Sequence, residues 1–372
     1  MRSRTLAVLA VSTGLALAVT GCGANSSNGS SPTSGSNGAS NGAKVGVILP
    51  ETASSARWEG FDHPLLEAAL KAEGFDPIIQ NAQGDDQKIS SLADQMLSQG
   101  VKVLILASTT GDVGAAVEKK AAAQGVPVID YDRLNAGGSA DYYVSFDNPG
   151  VGKLQGQALA TALKDKPGAQ VIEIEGAPTD NNATLFYQGQ QSVLKPLYDN
   201  NTLKLVKSQF IDKWDNQTGG TTFEQFLTSN SGKVDGVLAA NDGLAGAVIA
   251  VLQKNGLNGK VPVTGQDATA DGLKAILRGD QYMTVFKPIK LEAEAAAKLA
   301  TALLKNSKAD ADKIATQKTT DPKTKREVPS LLLDPQAITK DKVKDVISAG
   351  AVPKSDVCTG DIAALCTQNG IS

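Results

Sequence analysis

Short apolar segments alternate with amphipathic helical segments from Lys44 onward. The first predicted strand, Val45–Leu49, is followed by a helix that ends at Gly74, and the strand Val101–Leu106 is apolar enough to be buried on both faces. Further strands are predicted at Pro77–Gln80, Val126–Tyr131, Tyr142–Phe146, Gln170–Ile174, Leu203–Phe210, Val234–Ala239 and Val261–Thr264. Helical patterns follow these strands, so the chain is predicted to be an α/β protein with parallel sheets.

The alternation runs too long for a single sheet. The chain has 372 residues, and two runs of strands and helices predict two doubly wound, Rossmann-like domains. Asp147–Gly150, an Asp-Asn-Pro-Gly sequence, is a natural place for the chain to cross between them. In open parallel sheets, ligands bind beyond the carboxyl ends of the strands, so the residues that follow each strand are the candidates for a site.

Charge and histidine content exclude several classes of function. Lys and Arg number 36 against 39 Asp and Glu, and no basic stripe stands out, so a nucleic-acid partner is not expected. His63 is the single histidine, so every mechanism with a histidine base must use it, and a histidine-rich metal site is excluded. We expect neither a metal nor a cofactor.

The N-terminus has the pattern of an export signal. Arg2 and Arg4 precede the apolar segment Leu6–Val19, and small residues lead to Gly21 and Cys22. This pattern resembles the lipobox of bacterial lipoproteins, which implies removal of residues 1–21 and a diacylglycerol on the Cys22 sulfur. Two acyl chains would anchor the protein stably at the extracytoplasmic face of the cell membrane. The alternative is a plain secretory signal in which Cys22 is incidental.

Residues 22–43, which begin with the lipidated Cys22, are predicted to be a flexible tether. They are rich in Gly, Ser and Asn and cannot bury enough apolar surface to fold, so a root-mean-square reach of roughly 25 Å is expected. No later segment has 18 consecutive apolar residues, so no transmembrane helix is predicted.

The other two cysteines, Cys358 and Cys366, lie in the C-terminal tail, residues 358–372. An oxidising compartment allows them to pair. A metal site is the alternative, but two thiols without a nearby histidine supply too few ligands, so a disulfide is expected.

Polar and aromatic residues follow the predicted strands. They are Ser54–Trp58, Asp132 and Arg133, Asp180–Asn182, Trp214, Asn241 and Asp242, and Gln266 and Asp267. Carboxylates and amides bond to vicinal hydroxyls, guanidinium groups form a rigid fork, and an indole covers an apolar sugar face. The set therefore suits a small polyhydroxylated ring.

Structural roles are the alternatives for these residues. Asn241 and Asp267 could be helix N-caps, and Asp132 and Arg133 could form a salt bridge in a loop. Each tryptophan could be a half-exposed surface side chain.

Several strings resemble one family of binding proteins. They are Tyr131–Arg133, Ser145–Asn148, Asp180–Ala183, Val193–Pro196, Asn241–Asp242, Gly265–Asp267 and Met283–Pro288. In this order, over about residues 44 to 345, they resemble the D-xylose-binding proteins of ABC transporters, in the type I periplasmic-binding-protein family. The segment Ser54–Trp58 is closer to the multiple-sugar-binding members, which accept glucose, galactose, arabinose and xylose.

The resemblance implies two Rossmann-like lobes joined by a three-strand hinge. The N-lobe would comprise 44–147 and 289–331, and the C-lobe 148–288 and 332–357, with hinge crossings near Asp147, Pro288 and Leu333. The implied sugar contacts are Arg57, Trp58, Asp132, Arg133, Asn181, Trp214, Asn241, Asp267 and Lys287. A solvated side chain is the alternative for Lys287.

The implied function is capture of a monosaccharide, D-xylose first, by a monomer that delivers it to ABC permease subunits. A binder of several aldoses that also feeds a sensor protein is the alternative, and no catalytic residue or cofactor is implied. A glycosidase would need two carboxylates across a scissile bond, for which Asp132 and Asp267 are the candidates. A DNA-binding repressor shares the lobe architecture, but a signal sequence and tether stand where its helix-turn-helix would be.

Overall fold

The structure, a computed structural model, describes residues 42–371. Its strands are β1 (Lys44–Leu49), β2 (Asp76–Asn81), β3 (Val103–Leu106), β4 (Val128–Tyr131), β5 (Tyr142–Phe146), β6 (Ala169–Glu175), β7 (Leu203–Phe210), β8 (Gly236–Ala239), β9 (Thr284–Phe286), β10 (Gln317–Thr320), β11 (Glu327–Leu333) and β12 (Gln336–Ile338).

The helices alternate with these strands. They are α1 (His63–Ala72), α2 (Asp86–Ser98), α3 (Gly111–Ala123), α4 (Asn148–Ala162), α5 (Asn181–Asp199), α6 (Asn216–Ser229), α7 (Asp242–Lys254), α8 (Ala270–Arg278), α9 (Ile289–Leu304), α10 (Lys308–Ile314), α11 (Val343–Ser348), α12 (Lys354–Val357) and α13 (Ile362–Gln368). A π-helical turn, Trp58–Asp62, precedes α1, and short 3₁₀ turns cover Asp212–Trp214 and Lys340–Lys342.

The strands form two main sheets, as the alternation predicted. The N-lobe sheet has seven strands in the order β10-β11-β5-β4-β3-β1-β2, and only β10 pairs antiparallel. The C-lobe sheet has three parallel strands in the order β7-β6-β8, and β9 and β12 form an antiparallel pair. The non-sequential strand order and the helices between strands make both lobes doubly wound.

Alternating side chains along β1 explain why the N-lobe sheet is covered on both faces. Val47 packs in the cluster that contains residues of α1 and α9, while Ile48 packs in the cluster formed with α2 and α3. Neighbouring side chains of a strand point to opposite faces, so an uninterrupted apolar strand requires a helical layer on each side.

The predicted strand Val261–Thr264 is wrong. The structure has only an isolated bridge there, between Val263 and Val237. Pro262 has no N–H to donate to a ladder. The hydroxyl of Thr264 bonds instead to both the N–H and the C=O of Ala239, each at 3.0 Å, so a side chain replaces part of the strand pairing.

The chain passes between the lobes at three places. β5 leads into α4 at Asp147, β9 leads into α9 at Pro288, and β11 leads into β12 just after Leu333. The N–H of Asp147 donates to the C=O of Leu333 at 2.9 Å, which holds two of the crossings side by side. The lobe boundaries and hinge roles stay predictions.

The C-terminal segment from α11 onward covers α8. Side chains of α11, α12 and α13 pack with α8 in one apolar cluster, against which Phe61 of the N-lobe also packs. Cys358 and Cys366 form a disulfide in this segment, with their Cα atoms 5.8 Å apart. No helix in residues 42–371 is long and apolar enough to cross a membrane. The predicted signal sequence, Cys22 and nearly all of the tether lie outside the described residues.

Candidate functional site

A cavity lies between the lobes at the carboxyl ends of the strands. Its volume is about 30 Å³, room for only a few water molecules, so the lining side chains lie close together in this conformation. It is lined by Ser54, Ser55, Arg57, Trp58, Asp132, Arg133, Asp180, Asn182, Phe186, Trp214, Asn241, Gln266, Asp267 and Lys287. These residues follow β1, β4, β6, β7, β8 and β9 or the bridge at Val263, which is where parallel sheets place their ligands.

Every sugar contact predicted from the sequence lines this cavity except Asn181. Asp180 caps α5, and the next two residues are the first of the helix. Successive helical residues point about 100° apart, so only one of the two asparagines faces the cavity, and that residue is Asn182. Its Nδ2 donates to the backbone O and to Oδ1 of Asp132, at 2.9 and 3.1 Å.

Arg57 is held by carboxyl groups on three sides. Its Nε and Nη2 donate to Asp62 at 2.8 and 2.7 Å, Nη1 donates to Asp132 at 2.6 Å, and Nη2 also donates to Glu292 at 3.2 Å. A guanidinium has five N–H donors, so one remains for a ligand. Arg57, predicted from the sequence as a direct sugar contact, mainly fixes Asp132 in the structure.

The charges around Arg57 act on its carboxylate neighbours in opposite ways. Burial alone would raise the pKa of Asp132, but Arg57, Lys287 and Arg133 more than offset this and hold that pKa below its usual range. Burial raises the pKa of Glu292 well above its usual value, and the nearby Asp132 charge adds to that rise. Asp132 is therefore the ionised acceptor at the cavity wall, and Glu292 favours its neutral form behind it.

Lys287 joins two of the predicted carboxylates. Its Nζ lies 3.3 Å from Oδ2 of Asp132 and 3.5 Å from Oδ1 of Asp267. The side chain of Lys287 is only 3% exposed, which excludes the alternative of a solvated lysine. The ammonium group therefore lies between a carboxylate of each lobe.

The two tryptophans are buried, which excludes the surface alternative: Trp58 is 2% and Trp214 is 6% exposed. The ring centroid of Trp58 lies 4.6 Å from Cζ of Arg57 and 5.2 Å from Cζ of Arg133, within cation–π range. Its indole N–H donates to Glu51 at 2.8 Å. Both neighbouring guanidinium groups thus help to orient the ring at the cavity.

Trp214 lies in the C-lobe and is fixed by residues of that lobe. Its indole N–H donates to Asp180 at 3.1 Å, and its ring meets Phe186 edge to face at a centroid distance of 6.3 Å. A Cβ on Gly176 would lie 2.2 Å from the indole, so a glycine is required beneath the ring. Arg133 in turn pairs with Asp180 through Nε at 3.1 Å, which joins the lobes.

Asn241 is the N-cap of α7 and also lines the cavity. Its Oδ1 accepts from the N–H of Leu244 at 2.9 Å as the N-cap of α7, and its Nδ2 donates to the C=O of Ser54 at 3.4 Å. Asp267 is not a helix cap, because Thr269 caps α8.

Three residues of the cavity wall have left-handed backbone conformations. The φ angles are 60° at Asp132, 56° at Trp214 and 98° at Asp267. Such angles cost energy in non-glycine residues, most of all in a bulky one such as tryptophan. Their concentration here indicates that the fold is constrained to present these side chains to the cavity.

Comparison with known proteins identifies the family. A model described as the periplasmic binding protein domain matches residues 45–308. The chain belongs to the periplasmic binding protein family. It is 36% identical over 304 residues to the D-xylose-binding periplasmic protein of Escherichia coli, covering 82% of this chain and 89% of that protein. It is 35% identical to a multiple sugar-binding periplasmic receptor of Rhizobium radiobacter, covering 84% and 91%.

Solved structures of this family agree in fold. A solute-binding protein of Clostridium phytofermentans with bound β-D-glucose superposes with a TM-score of 0.77 at 29% identity, covering 84% of this chain and 99% of that one. A carbohydrate transporter solute-binding protein of Chloroflexus aurantiacus, in complex with D-glucose, superposes with a TM-score of 0.75 at 31% identity, covering 84% and 97%. The type I periplasmic-binding-protein fold is therefore confirmed.

Six further residues, which were not among the predicted contacts, line the cavity of this periplasmic binding protein. They are Ser54, Ser55, Asp180, Asn182, Phe186 and Gln266. Five of them lie in the polar segments after the strands, so position along the chain could have found them. Phe186 lies inside α5 among ordinary core residues, and nothing in the sequence distinguishes it.

Proposed function

We propose that this protein is an extracytoplasmic receptor that captures a neutral monosaccharide between its lobes and delivers it to an ABC permease. The observation that carries the proposal is a buried acceptor in the cavity wall, Oε1 of Gln266, which accepts no hydrogen bond from any described residue. Beside it, Oδ1 of Asp267 also accepts no hydrogen bond from a described residue and has the Lys287 ammonium 3.5 Å away. Buried polar atoms normally have a partner, and the hydroxyl groups of a sugar are donors of the right kind.

The charges of the wall support a neutral ligand. Arg57, Arg133 and Lys287 are its three cationic side chains, and each already contacts at least two carboxylates. An anionic ligand would find no unpaired cation and would face the charge of Asp132. A neutral polyol adds no charge, and its hydroxyl groups can both donate to carboxylates and accept from amides.

D-xylose is the proposed ligand, and a set of aldoses including glucose, galactose and arabinose is the second candidate. The E. coli relative is named for D-xylose, which supports the first, while the R. radiobacter relative is named for several sugars and both solved structures hold glucose. The two candidates differ in whether a hydroxymethyl group fits the cavity, so the ratio of the affinities for xylose and glucose separates them.

A thermal-shift screen tests the proposal. We expect xylose to raise the melting temperature most among xylose, arabinose, ribose, glucose, galactose and rhamnose, because a ligand stabilises the state that binds it. Glucuronate and glucose 6-phosphate, the anionic controls, should have no effect. No shift with any neutral sugar, or a larger shift with an anionic control, would count against the proposal. Titration calorimetry with the best sugars then gives the affinity ratio.

The cellular part of the proposal is a monomeric receptor, anchored through Cys22, that passes sugar to permease subunits. A sensor protein that recognises the ligand-bound form is a second partner for the case of several sugars. Deletion of the receptor should abolish uptake of labelled xylose at low concentration while leaving the permease in the membrane. Uptake that persists unchanged would separate this protein from the transporter.

The glycosidase alternative is less well supported. A glycosidase needs one protonated carboxyl and one ionised carboxylate across the scissile bond, whereas Asp132 and Asp267 both lie against the same Lys287 ammonium. Arg57, Lys287 and Arg133 hold the pKa of Asp132 below its usual range, so Asp132 cannot serve as the protonated acid. His63 does not line the cavity and pairs with Glu59 at 2.9 Å. A turnover assay with aryl glycosides of xylose and glucose should show no release of the aryl group.

A further inference from the structure

We propose that Asp242, which does not line the cavity, is a positioning residue that fixes the loop carrying Gln266 and Asp267 and thereby sets the affinity for sugar. The loop, residues 265–269, carries Oε1 of Gln266 and Oδ1 of Asp267, neither of which accepts a hydrogen bond from a described residue. The proposal deepens the proposed function and rests on it. Asp242 would affect sugar binding only by holding Gln266 and Asp267 in place.

The carboxylate of Asp242 gathers donors from two separate segments. Its Oδ1 accepts from Nε2 of Gln281 and from Oγ1 of Thr284, each at 2.8 Å. Its Oδ2 accepts from the N–H and the hydroxyl of Thr269, at 2.9 and 3.1 Å. The backbone N–H of Asp242 also donates to the C=O of Gln266 at 3.0 Å. Both ends of the loop that holds Asp267 are thus tied to this one residue.

Two glycines allow the chain to wrap around this carboxylate. A Cβ on Gly265 or on Gly272 would lie 2.2 Å from an oxygen of Asp242. The first glycine immediately precedes Gln266 and the second lies in the first turn of α8. The backbone on either side of Asp267 therefore follows the shape of the Asp242 carboxylate closely.

Capping of α7 does not account for Asp242. Asn241 already caps that helix by accepting from the N–H of Leu244. The acid lies in the first turn of α7, where the helix dipole favours a negative charge. Its oxygens, however, bond to Thr269, Gln281 and Thr284 rather than to N–H groups of its own helix.

The site for this carboxylate is energetically unfavourable, which argues for a specific role. Burial raises the pKa of Asp242 to about 7, the hydrogen bonds oppose that rise, and the charge of Asp267 adds to it. The other charged groups on the packed elements have partners elsewhere. On α8, Asp271 pairs with Lys274 at 3.2 Å, and before β9 the carboxylate of Asp280 accepts from Asn258 at 3.1 Å.

The test compares the full chain with the variants Asp242→Asn and Asp242→Ala, alone and combined with Asp267→Asn. Asp235→Asn is the matched control, because Asp235 ties the far end of the same lobe by accepting from the N–H of Gln170 at 2.7 Å. Titration calorimetry measures the dissociation constant for the sugar that gives the largest thermal shift. Melting temperature and circular dichroism report whether each variant folds.

We expect Asp242→Ala to weaken binding about tenfold or more, since it removes several buried hydrogen bonds that hold the loop. Asp242→Asn keeps the side-chain shape and one acceptor oxygen. Its loss of sugar affinity should therefore be smaller than that of Asp242→Ala. In the Asp267→Asn background, the Asp242 substitutions should weaken sugar binding little further, because their effect on binding acts through Asp267. A merely structural role would give additive losses in that background.

Two results would overturn the inference. One is an Asp242→Asn protein that folds and binds with the wild-type dissociation constant. The other is a loss of sugar affinity that adds fully to the loss caused by Asp267→Asn. An equal loss of affinity in the Asp235→Asn control would have the same meaning. If the wild-type protein binds none of the sugars, the proposed function fails and the inference fails with it, whereas wild-type binding with an unaffected Asp242→Asn variant overturns the inference alone.

Discussion

The hydroxyl of Ser55 in the N-lobe donates to Oδ2 of Asp267 in the C-lobe at 2.8 Å. The residues before Ser55 contact the same lobe, because the C=O groups of Ala53 and Ser54 accept from Asn216 and Asn241 at 3.3 and 3.4 Å. A single loop after β1 therefore touches three separate segments of the C-lobe. The Asp267 carboxylate also lines the cavity, so one side chain belongs both to the contact between the lobes and to the cavity wall.

Replacement of Asp267 should therefore weaken sugar binding strongly. Asp267→Ala removes a buried charged acceptor and the Ser55 contact together, so we expect the dissociation constant to rise by about one to two orders of magnitude. Ser55→Ala removes only the contact between the lobes and should cost less. Titration calorimetry checks both, with Asp271→Ala on the exposed side of α8 as the control. Wild-type affinity in folded Asp267→Ala would show that this carboxylate does not touch the ligand.

The two tryptophans give a direct optical test of the cavity. Trp58 and Trp214 are the only tryptophans in the sequence, and both line the cavity. Sugar should therefore change the intrinsic fluorescence, and Trp58→Phe and Trp214→Phe should each remove part of the response while keeping an aromatic ring at the wall.

The fluorescence amplitudes of the two single variants should together account for the wild-type response. Equal affinities and undiminished amplitudes in both variants would mean that neither indole contacts the sugar. A variant that loses its response but keeps its affinity would still place that indole at the site, as a reporter rather than a contact.

Much of the fold could be predicted because the spacing of apolar residues indicates strands and helices from short segments of sequence. The predicted bounds of the strands Tyr142–Phe146 and Leu203–Phe210 agree with the structure. Val261–Thr264 fails because strand formation depends on a partner, and there the Thr264 side chain takes over part of the pairing. A local sequence pattern does not show that a side chain will replace part of the backbone pairing of a strand.

The site was predictable to the level of segments rather than atoms. Residues after the strands converge because parallel strands end at one edge, which needs no knowledge of contacts. The choice between Asn181 and Asn182 depends on the helical phase set by the Asp180 cap. The involvement of Arg57 with Asp62 and Glu292 is a tertiary arrangement, in which Glu292 lies 235 residues away along the chain. Neither feature is visible in the sequence pattern.

Attachment through Cys22 can be tested independently of the site. We expect Cys22→Ser to move the protein from the membrane fraction to the soluble fraction, because a single residue would carry both acyl chains. Sugar affinity should stay at the wild-type value, since a Gly/Ser-rich tether leaves the folded part free of the anchor. Immunoblots of fractionated cells and mass spectrometry of the N-terminus check this. A Cys22→Ser protein that stays on the membrane would contradict the lipid anchor.

Stability should fall as pH rises through neutrality, and Asp242 should be one source of the fall. Its pKa is raised from 3.8 to about 7 in the folded protein, so between these values the folded state holds a proton that the unfolded state has lost. Unfolding then releases a proton, and the free energy of unfolding decreases with pH, by up to about 4 kcal/mol for such a shift.

Asp62, Asp130, Glu175 and Glu292 have pKa values shifted in the same direction. For that reason the comparison with Asp242→Asn isolates the Asp242 contribution. Denaturant unfolding between pH 5 and pH 8.5, on the wild type and on Asp242→Asn, measures the difference in free energy. We expect the advantage of the wild type to shrink toward high pH, because asparagine cannot ionise and avoids the cost of a buried charge beside Asp267. A difference that stays constant across this range would mean that Asp242 does not titrate there.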